Sequence, residues 1–175
     1  MEIGSGSFRE VMARFATGIS VITSLDDRGE PAGITVSAMS SVSMDPPLVL
    51  VALANGRFIN PIVTARGRFA VNVLRHDQQA LSDCFAHAAV SPGRDQFCGA
   101  PWHAGATGLP ILDGTLAAME CEIVRTLTVG DHELFIGRVE GLEVGLEGDP
   151  LLYFRRQYLR VDHGTPSPVE GVPEA

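Results

Sequence analysis

Short apolar or alternating stretches, each ended by glycine, proline or aspartate, recur along most of the chain and predict β-strands. The predicted strands are Ile19–Ser24, Gly33–Ala38, Leu48–Leu53, Phe69–Leu74, Ala117–Leu127, Glu133–Leu146 and Leu151–Val161. The first two form a predicted hairpin around the turn Asp26–Gly29. Leu48–Leu53 is apolar on both faces, so we expect it to be buried on both sides of its sheet.

Three short segments have helical spacing instead. They are Phe8–Phe15, Pro61–Arg66 with proline in its first turn, and Gln78–His87. Residues 91–111 hold many glycines and prolines, which predicts an irregular excursion. Many strands with few helices favour a closed or nearly closed β-barrel over a doubly wound sheet.

No linker or repeat divides the chain, so we expect one domain over residues 1–163. From residue 164 to 175 the sequence lacks a hydrophobic pattern, which predicts a disordered tail.

The amino-acid composition excludes some kinds of catalysis and binding. The chain has 175 residues and a formal charge of -8, and all 13 of its basic side chains are arginines. Without lysine, a Walker A phosphate loop and Schiff-base catalysis are excluded. The acidic balance and scattered arginines also argue against nucleic acid as a partner.

The longest apolar run, Leu48–Ala54, has the length of a strand, so we expect no membrane span. No secretory signal is visible at the N-terminus. Cys84, Cys98 and Cys121 are odd in number and lack CxxC spacing, which argues against a disulfide framework. A cytoplasmic protein is therefore expected.

The segment Gly33–Ser43 is rich in small hydroxyl residues and precedes Asp45–Pro47. One interpretation is a strand that runs into a turn. The other is a cofactor cradle, because small side chains let a ligand approach the main chain and its hydrogen-bonding groups.

His132 follows Asp131 in a turn between two strands. Such a histidine is either a solvated surface residue or a site residue whose tautomer the aspartate fixes. His76, His87, His103 and His163 have neither HxH nor HExxH spacing, so no metal site is predicted.

Arg155 and Arg156 follow two aromatic residues, Tyr153 and Phe154. The arginines form either an anion clamp or the solvated end of a strand. Cys84 has no base near it in sequence and is read as a small buried residue. No GxSxG elbow is present, which excludes the usual serine hydrolase signature.

Five motifs in one order resemble the short-chain flavin reductases, which are the reductase components of two-component flavin monooxygenases. The motifs are Phe15–Gly18, Thr35–Ala38 with Ser41–Pro47, Gly67–Leu74, Gly130–His132 and Pro150–Arg155. The resemblance extends from Phe8 to Val161. It implies a mainly β fold, the FMN-binding split β-barrel with short flanking helices, in a homodimer that binds FMN or FAD.

The resemblance also implies a set of site residues. His132 would be placed at the nicotinamide of NADH or NADPH. The flavin and nucleotide contacts would come from Gly33, Ile34, Thr35, Ser37, Ala38, Ala52, Leu53, Ala54, Cys84, Phe85, Leu151, Leu152, Tyr153 and Phe154. Many members carry a Ser-x-Ser/Thr phosphate loop where this chain has Asn55–Asn60, so Arg57, Phe58, Ile59 and Asn60 complete the expected set.

The implied activity is hydride transfer from a nicotinamide nucleotide to flavin, with reduced flavin supplied to a separate monooxygenase. Without lysine, phosphates would be held by backbone N–H groups, hydroxyls, amides and arginines such as Arg57, Arg155 or Arg156. Two alternatives stay open: a flavin-binding electron carrier that does not use nicotinamide, and a split-barrel oxidase that acts directly on a small substrate.

Overall fold

A computed structural model describes residues 4–87, 97 and 99–163. The expected tail, 164–175, and part of the expected excursion at 91–111 lie outside the described residues. The helices are α1 Ser5–Met12, α2 Ile59–Arg66 and α3 Gln79–His87. The strands are β1 Thr17–Gly18, β2 Ser20–Leu25, β3 Pro31–Val36, β4 Met39–Met44, β5 Pro47–Ala54, β6 Arg68–Val73, β7 Trp102–Ala104, β8 Pro110–Leu112, β9 Ala117–Val129, β10 His132–Val144, β11 Leu152–Phe154 and β12 Gln157–Leu159.

Seven strands form one antiparallel sheet in the order β3-β2-β6-β9-β10-β5-β4. Strands β3 and β4 are its two edges. The chain passes from one edge to the other through Ser37 and Ala38, and the N–H of Ala52 on β5 donates to the carbonyl of Ala38 at 3.0 Å, which extends the pairing of β4 with β5. The mainly β class and the split barrel are confirmed, with the split between β3 and β4.

One hydrophobic core lies between the main sheet and α2. Phe69, Phe135 and Ile22 are its large, fully buried side chains. Gly137 on β10 must be glycine there, because a Cβ would lie 2.7 Å from the Phe69 ring. A second core, around Phe85 and Phe97, joins α3 to the three-stranded sheet of β1, β11 and β12.

Polar side chains fix the position of β8 on the main sheet. Asn72 is fully buried; its amide donates to the carbonyl of Val21 at 3.1 Å and its oxygen accepts from the N–H of Leu112 at 2.8 Å. The hydroxyl of Thr23 donates to the carbonyl of Pro110 at 2.6 Å. Both polar atoms of the Asn72 side chain are thus hydrogen-bonded within the fold and are not available to a ligand.

His103 on β7 is held between two carboxylates. Its Nδ1 lies 2.7 Å from Asp113 and its Nε2 lies 2.9 Å from Glu143 on β10. The hydrogen bond with Asp113, followed by that with Glu143, raises the pKa of His103, because both favour the charged ring. The contact ties the small β7–β8 sheet to the end of β10.

Several sequence expectations need correction. The segment 91–111 is not wholly irregular, because β7 pairs with β8 in an antiparallel sheet. The single strand expected over Leu151–Val161 is a hairpin, β11 and β12, with its turn at Arg155 and Arg156. Strand β5 is buried on one face only: Val49, Val51 and Leu53 are buried, whereas the residues between them are half-buried.

Candidate active site

A cavity of about 290 Å³ lies at the split of the barrel. We call it the His132 cavity. Its walls come from β3 and the residues after it, the end of β5, the end of α3 and the start of β10. The lining residues are Ile34, Thr35, Val36, Ser37, Ala38, Ala52, Leu53, Ala54, Arg57, Ala86 and His132.

Two further cavities adjoin the first, since both also include Ser37 and Ala38. The Phe15 cavity has a volume of about 440 Å³ and the Arg156 cavity about 590 Å³. The Arg156 cavity is lined by Arg9, Met12, Ala13, Phe15, Thr17, Ser37, Ala38, Tyr153 and Arg156. We call the three cavities together the groove; their lining extends from His132 of β10 to Tyr153 and Arg156 of the β11–β12 hairpin.

The His132 cavity suits a flat ring that hydrogen-bonds along one edge. Strand β3 is a sheet edge, so half of its peptide groups lack a strand partner and can bind a ligand. Ala38, Ala52 and Ala54 are small and leave the main chain open to close approach. These residues fit the pyrimidine edge and apolar body of a flavin.

His132 is the first residue of β10 and lies opposite Ala54 on β5. Its Nδ1 lies 2.7 Å from a carboxylate oxygen of Asp131, and 42% of its side chain is exposed. The hydrogen bond from His132 lowers the pKa of Asp131, which keeps that carboxylate ionised. An ionised Asp131 accepts from Nδ1–H, so Nε2 is left for a ligand in the cavity.

The turn that carries His132 is attached to the end of β5. The N–H of Asn55 donates to the carbonyl of Asp131 at 2.8 Å, and its amide donates to the carbonyl of Gly130 at 3.4 Å. Gly130 has a φ of 59°, the left-handed conformation that this turn needs. The position of His132 is therefore set by β5 as well as by its own strand.

The loop Asn55–Asn60, expected to replace the phosphate motif, has one residue at the cavity and others that hold the fold together. Arg57 lines the His132 cavity and is exposed. Asn60 is only 5% exposed, and its amide donates to the carbonyl of Ala54 at 3.2 Å and to Glu133 at 2.8 Å. Phe58 and Ile59 pack on the core of the sheet. The structure thus brings Arg57 to the cavity, and Asn60 positions the end of β5.

Gly33 and Phe85 pack against each other rather than line the cavity. A Cβ on Gly33 would lie 2.7 Å from Cε1 of Phe85, and Phe85 is fully buried. The space above Gly33, expected to admit a ligand, is filled by this ring. Ala86, the next residue of α3, lines the cavity instead.

Helix α3 is held in place by a small polar network. The hydroxyl of Thr35 donates to the carbonyl of Ser82 at 2.7 Å, and the hydroxyls of Ser82 and Tyr158 lie 2.9 Å apart. Tyr158 also donates to Asp83 at 2.9 Å, and burial raises its pKa. The hydroxyl of Thr35 is thus already engaged within the fold.

The cysteines differ from the sequence expectation. Cys84 is disulfide-bonded, although the odd number and the spacing of the cysteines argued against a disulfide framework. Cys121 is a free thiol in the core, and burial raises its pKa to about 12, so it stays protonated and unreactive. Cys98 lies outside the described residues.

The segment Leu151–Phe154 reaches the groove through one residue. Leu151 is buried in the second core and Leu152 is half-buried in β11. Tyr153 lines the Arg156 cavity, with its ring centroid 5.3 Å from that of Tyr158. Phe154 lies beneath the guanidinium of Arg155, at 5.2 Å. Tyr153 is therefore the residue of this segment that lines the Arg156 cavity.

Sequence reasoning missed residues that come from distant segments. Arg9 of α1, together with Thr17 of β1, lines the Arg156 cavity opposite Tyr153. The Phe15–Gly18 motif is the available signal, because it belongs to the family resemblance and contains Phe15 and Thr17. Nothing in the sequence pairs Arg9 with a hairpin at the other end of the chain.

The arginines fall into two groups. Arg9, Arg57, Arg155 and Arg156 line cavities in or beside the groove. Others are neutralised away from it, in ion pairs such as Arg68–Glu140 at 2.7 Å and Arg75–Asp77 at 2.7 Å. Arg9, Arg57, Arg155 and Arg156 have no ion pair among the described residues, whereas Arg14, which also lines one of these cavities, is paired with Glu10 at 3.1 Å.

The described ranges lack two other kinds of feature. They contain no cluster of three His, Cys, Asp or Glu side chains able to hold a metal ion. They also contain no helix whose length and hydropathy would let it cross a membrane.

Comparison with known proteins shows which family this chain resembles. Residues 12–162 match the family model described as flavin reductase like domain. The NADH-dependent flavin reductase StyB of Pseudomonas fluorescens is 37% identical over 171 residues, which cover 97% of this chain and 95% of the relative. A relative from Rhizobium meliloti, named "Probable flavin reductase", is 40% identical over 143 residues, 81% of this chain; the match spans only 45% of that longer protein.

Among solved structures, nitrilotriacetate monooxygenase component B from Mycobacterium thermoresistibile superposes with a TM-score of 0.86. It is 32% identical, and the match covers 95% of this chain and 92% of that one.

Proposed function

The chain belongs to the flavin reductase like domain family, and from this premise we propose that it is an NAD(P)H:flavin oxidoreductase. It transfers hydride from NADH or NADPH to FMN or FAD. The observation that carries the proposal is the His132 cavity, where a sheet edge, small side chains and an oriented histidine meet. The relative StyB, named for NADH and flavin, supports the same chemistry.

When bound, the flavin supplies N5 as hydride acceptor and the nicotinamide supplies the hydride from C4. The part of the protein would be to bring the two rings together in one cavity. The edge of β3 and Ala52–Ala54 orient the flavin, and Arg57 is placed to neutralise a phosphate at the mouth of the cavity. Hydride transfer moves no proton from the protein, so His132 acts by positioning the nicotinamide through Nε2.

Reduced flavin then leaves for a separate flavin-dependent monooxygenase, which makes this chain a reductase component. The similarity to component B of a monooxygenase supports this part of the proposal. The open groove is consistent with release, since the His132 cavity joins two larger cavities rather than closing over its ligand. We place the reaction in the cytoplasm, where nicotinamide nucleotides are available.

We also propose a homodimer. Helix α1 has no buried residue, yet its apolar side chains Phe8, Val11 and Met12 are 59%, 65% and 47% exposed, and Phe15, three residues after the helix ends, is 66% exposed. Patches of this kind mark interfaces in globular proteins. A second copy that covers α1 would also close the groove beside Phe15.

One experiment tests the activity. Purified protein is mixed with NADH or NADPH and with FMN, FAD or riboflavin in turn, and nicotinamide absorbance is followed. We expect oxidation with at least one pair. If no pair reacts, the proposal fails, and flavin retained without oxidation would favour the electron carrier. Product formed without a monooxygenase would favour the oxidase.

The role of His132 has its own test. His132→Ala removes one positioned hydrogen bond, so we expect turnover to fall about ten-fold while flavin affinity changes less than about two-fold. His87→Ala is the control, because His87 lies on α3 and lines neither this cavity nor its neighbours. Unchanged turnover in His132→Ala would remove it from the site.

A further inference from the structure

The turn between β11 and β12 has an unusual backbone. Arg155 and Arg156 have φ angles of 50° and 63°, and they form a two-residue loop because Phe154 pairs with Gln157. A hairpin turn with positive φ at both positions favours Asn-Gly or Gly-Gly. A pair of arginines there is opposed by the steric preference of any residue with a Cβ.

The main chain of the turn is hydrogen-bonded to the residue after α1, and the guanidinium groups of Arg155 and Arg156 have no ion pair among the described residues. The N–H of Arg155 donates to the carbonyl of Ala13 at 2.7 Å. Arg156 has neither an ion pair nor a side-chain hydrogen bond with any residue in the described part of the chain. Its side chain lines the Arg156 cavity on one side. On the other it lines a cavity of about 530 Å³ with Gly6, Glu10, Ala13, Arg14 and Arg155.

The local charge is positive in a protein whose net charge is -8. Glu10 lines the second of these cavities, where it is paired with Arg14 at 3.1 Å, and the described residues that line the Arg156 cavity include no carboxylate. Arg9, Arg155 and Arg156 are therefore a positive surplus at the end of the groove. Such a reversal of sign attracts and holds an anion.

The position of this surplus indicates which anion. Arg57 already serves the His132 cavity, so a monophosphate next to the ring has a cationic partner there. Arg9 and Arg156 line the Arg156 cavity, which shares Ser37 and Ala38 with the His132 cavity, and Arg155 lines the cavity on the other side of Arg156. Guanidinium groups bind phosphate oxygens in a bidentate manner. The matching ligand is a dinucleotide whose ring occupies the His132 cavity and whose diphosphate reaches this turn.

We propose that Arg9, Arg155 and Arg156 form a diphosphate-binding subsite for a dinucleotide. The identity of that dinucleotide rests on the proposed function, because FAD and the nicotinamide nucleotides both carry a diphosphate.

The test uses a variant that removes the charges without weakening the turn. Arg155→Asn with Arg156→Gly creates the Asn-Gly sequence that the turn favours, so thermal stability should stay the same or rise. ADP is the probe, and its binding is measured by titration calorimetry, which needs no activity. We expect ADP to bind the variant about ten-fold or more weakly, since two charge-assisted contacts are lost.

The control is Arg160→Gln, which removes an exposed arginine after β12 that lines neither cavity. It should leave ADP affinity within about two-fold of the parent value. The subsite is refuted if the double variant binds ADP as the parent does, or if Arg160→Gln weakens ADP equally, which would show a general charge effect. It is also refuted if the variant changes only the oligomeric mass.

Two further measurements identify the dinucleotide. A selective rise in KM for NADH, but not for reduced nicotinamide mononucleotide, assigns the subsite to the nicotinamide nucleotide. A selective loss of FAD affinity relative to FMN, measured by flavin fluorescence, assigns it to FAD. If both ratios stay at parent values, the proposal is overturned. A parent protein that binds ADP as expected but oxidises no NADH would refute the reductase activity while leaving the subsite standing.

Discussion

Two explanations could account for the glycine at position 33, and the substitution Gly33→Ala distinguishes between them. If the glycine lets a ligand approach β3, alanine there should weaken flavin binding and leave the fold intact. If it makes room for Phe85, alanine should destabilise the fold. The geometry favours the second, because the added Cβ would lie 2.7 Å from Cε1 and 2.9 Å from Cδ1 of that ring.

The size of the effect follows from the surroundings of Phe85. Its ring is fully buried and meets Phe97 edge-on, with centroids 5.5 Å apart, so it has no free space to move into. Overpacking of this kind costs about 1–3 kcal/mol. For a chain of this length that lowers Tm by about 2–12 °C. Gly33 lies in extended backbone of β3, so no conformational strain adds to the clash.

The assay is thermal unfolding of the flavin-free protein by circular dichroism, with FMN affinity measured separately. Phe85→Leu should relieve the clash, so the double variant should be less destabilised than the sum of the single variants by about 1 kcal/mol or more. Gly6→Ala, on α1 with nothing within 4 Å of the added Cβ, is the matched control. An unchanged Tm in Gly33→Ala, with weaker FMN binding, would refute the packing explanation.

Two further predictions concern the assembly and pH. Phe8→Ser with Val11→Ser should convert the proposed dimer to a monomer in sedimentation experiments, because both side chains lie on the exposed face of α1; an unchanged mass would place the interface elsewhere. The pKa of His103 is raised by Asp113 and Glu143, so its stabilisation is complete below the ordinary histidine pKa of about 6.5 and is lost as pH rises through the raised value. Since this ring is 45% exposed, we expect at most about 1 kcal/mol, or about 2–4 °C, between parent and His103→Gln at pH 5.5, with the difference shrinking by pH 9; a difference that grows with pH would contradict this.

Six of the seven strands of the main sheet could be predicted because their period and their turn residues agree, whereas β4 was missed, since its serine-rich sequence was interpreted as a turn or a cofactor cradle. Ala117–Leu127 and Glu133–Leu146 were expected and correspond to β9 and β10, with boundaries shifted by two residues or fewer. Strands β7 and β8 were missed, since three residues are too few to show a period among glycines and prolines. Their pairing depends on Asn72 and Thr23, which lie far away in sequence.

The site could be predicted where it is built from the main chain of one segment. Thr35, Ser37 and Ala38, with Ala52 and Ala54, do line one cavity, and His132 faces the same space.

The prediction failed where a side chain's partner is distant in sequence. Phe85 fills the space above Gly33, and Glu133 takes the amide of Asn60. Neither pairing leaves a local signal, because both are set by how α2 and α3 pack on the barrel.

The pairing of β1 with β11 also bears on the order in which the protein is made. Thr17 pairs with Tyr153, so the groove takes one wall from the start of the chain and the other from its end. The strands of the main sheet, β2 to β10, are complete by Val144, before β11 has been synthesised. Closing so long a loop is slow relative to local contacts. On the ribosome the barrel can therefore form first, and the dinucleotide groove can be completed only when almost the whole chain has emerged.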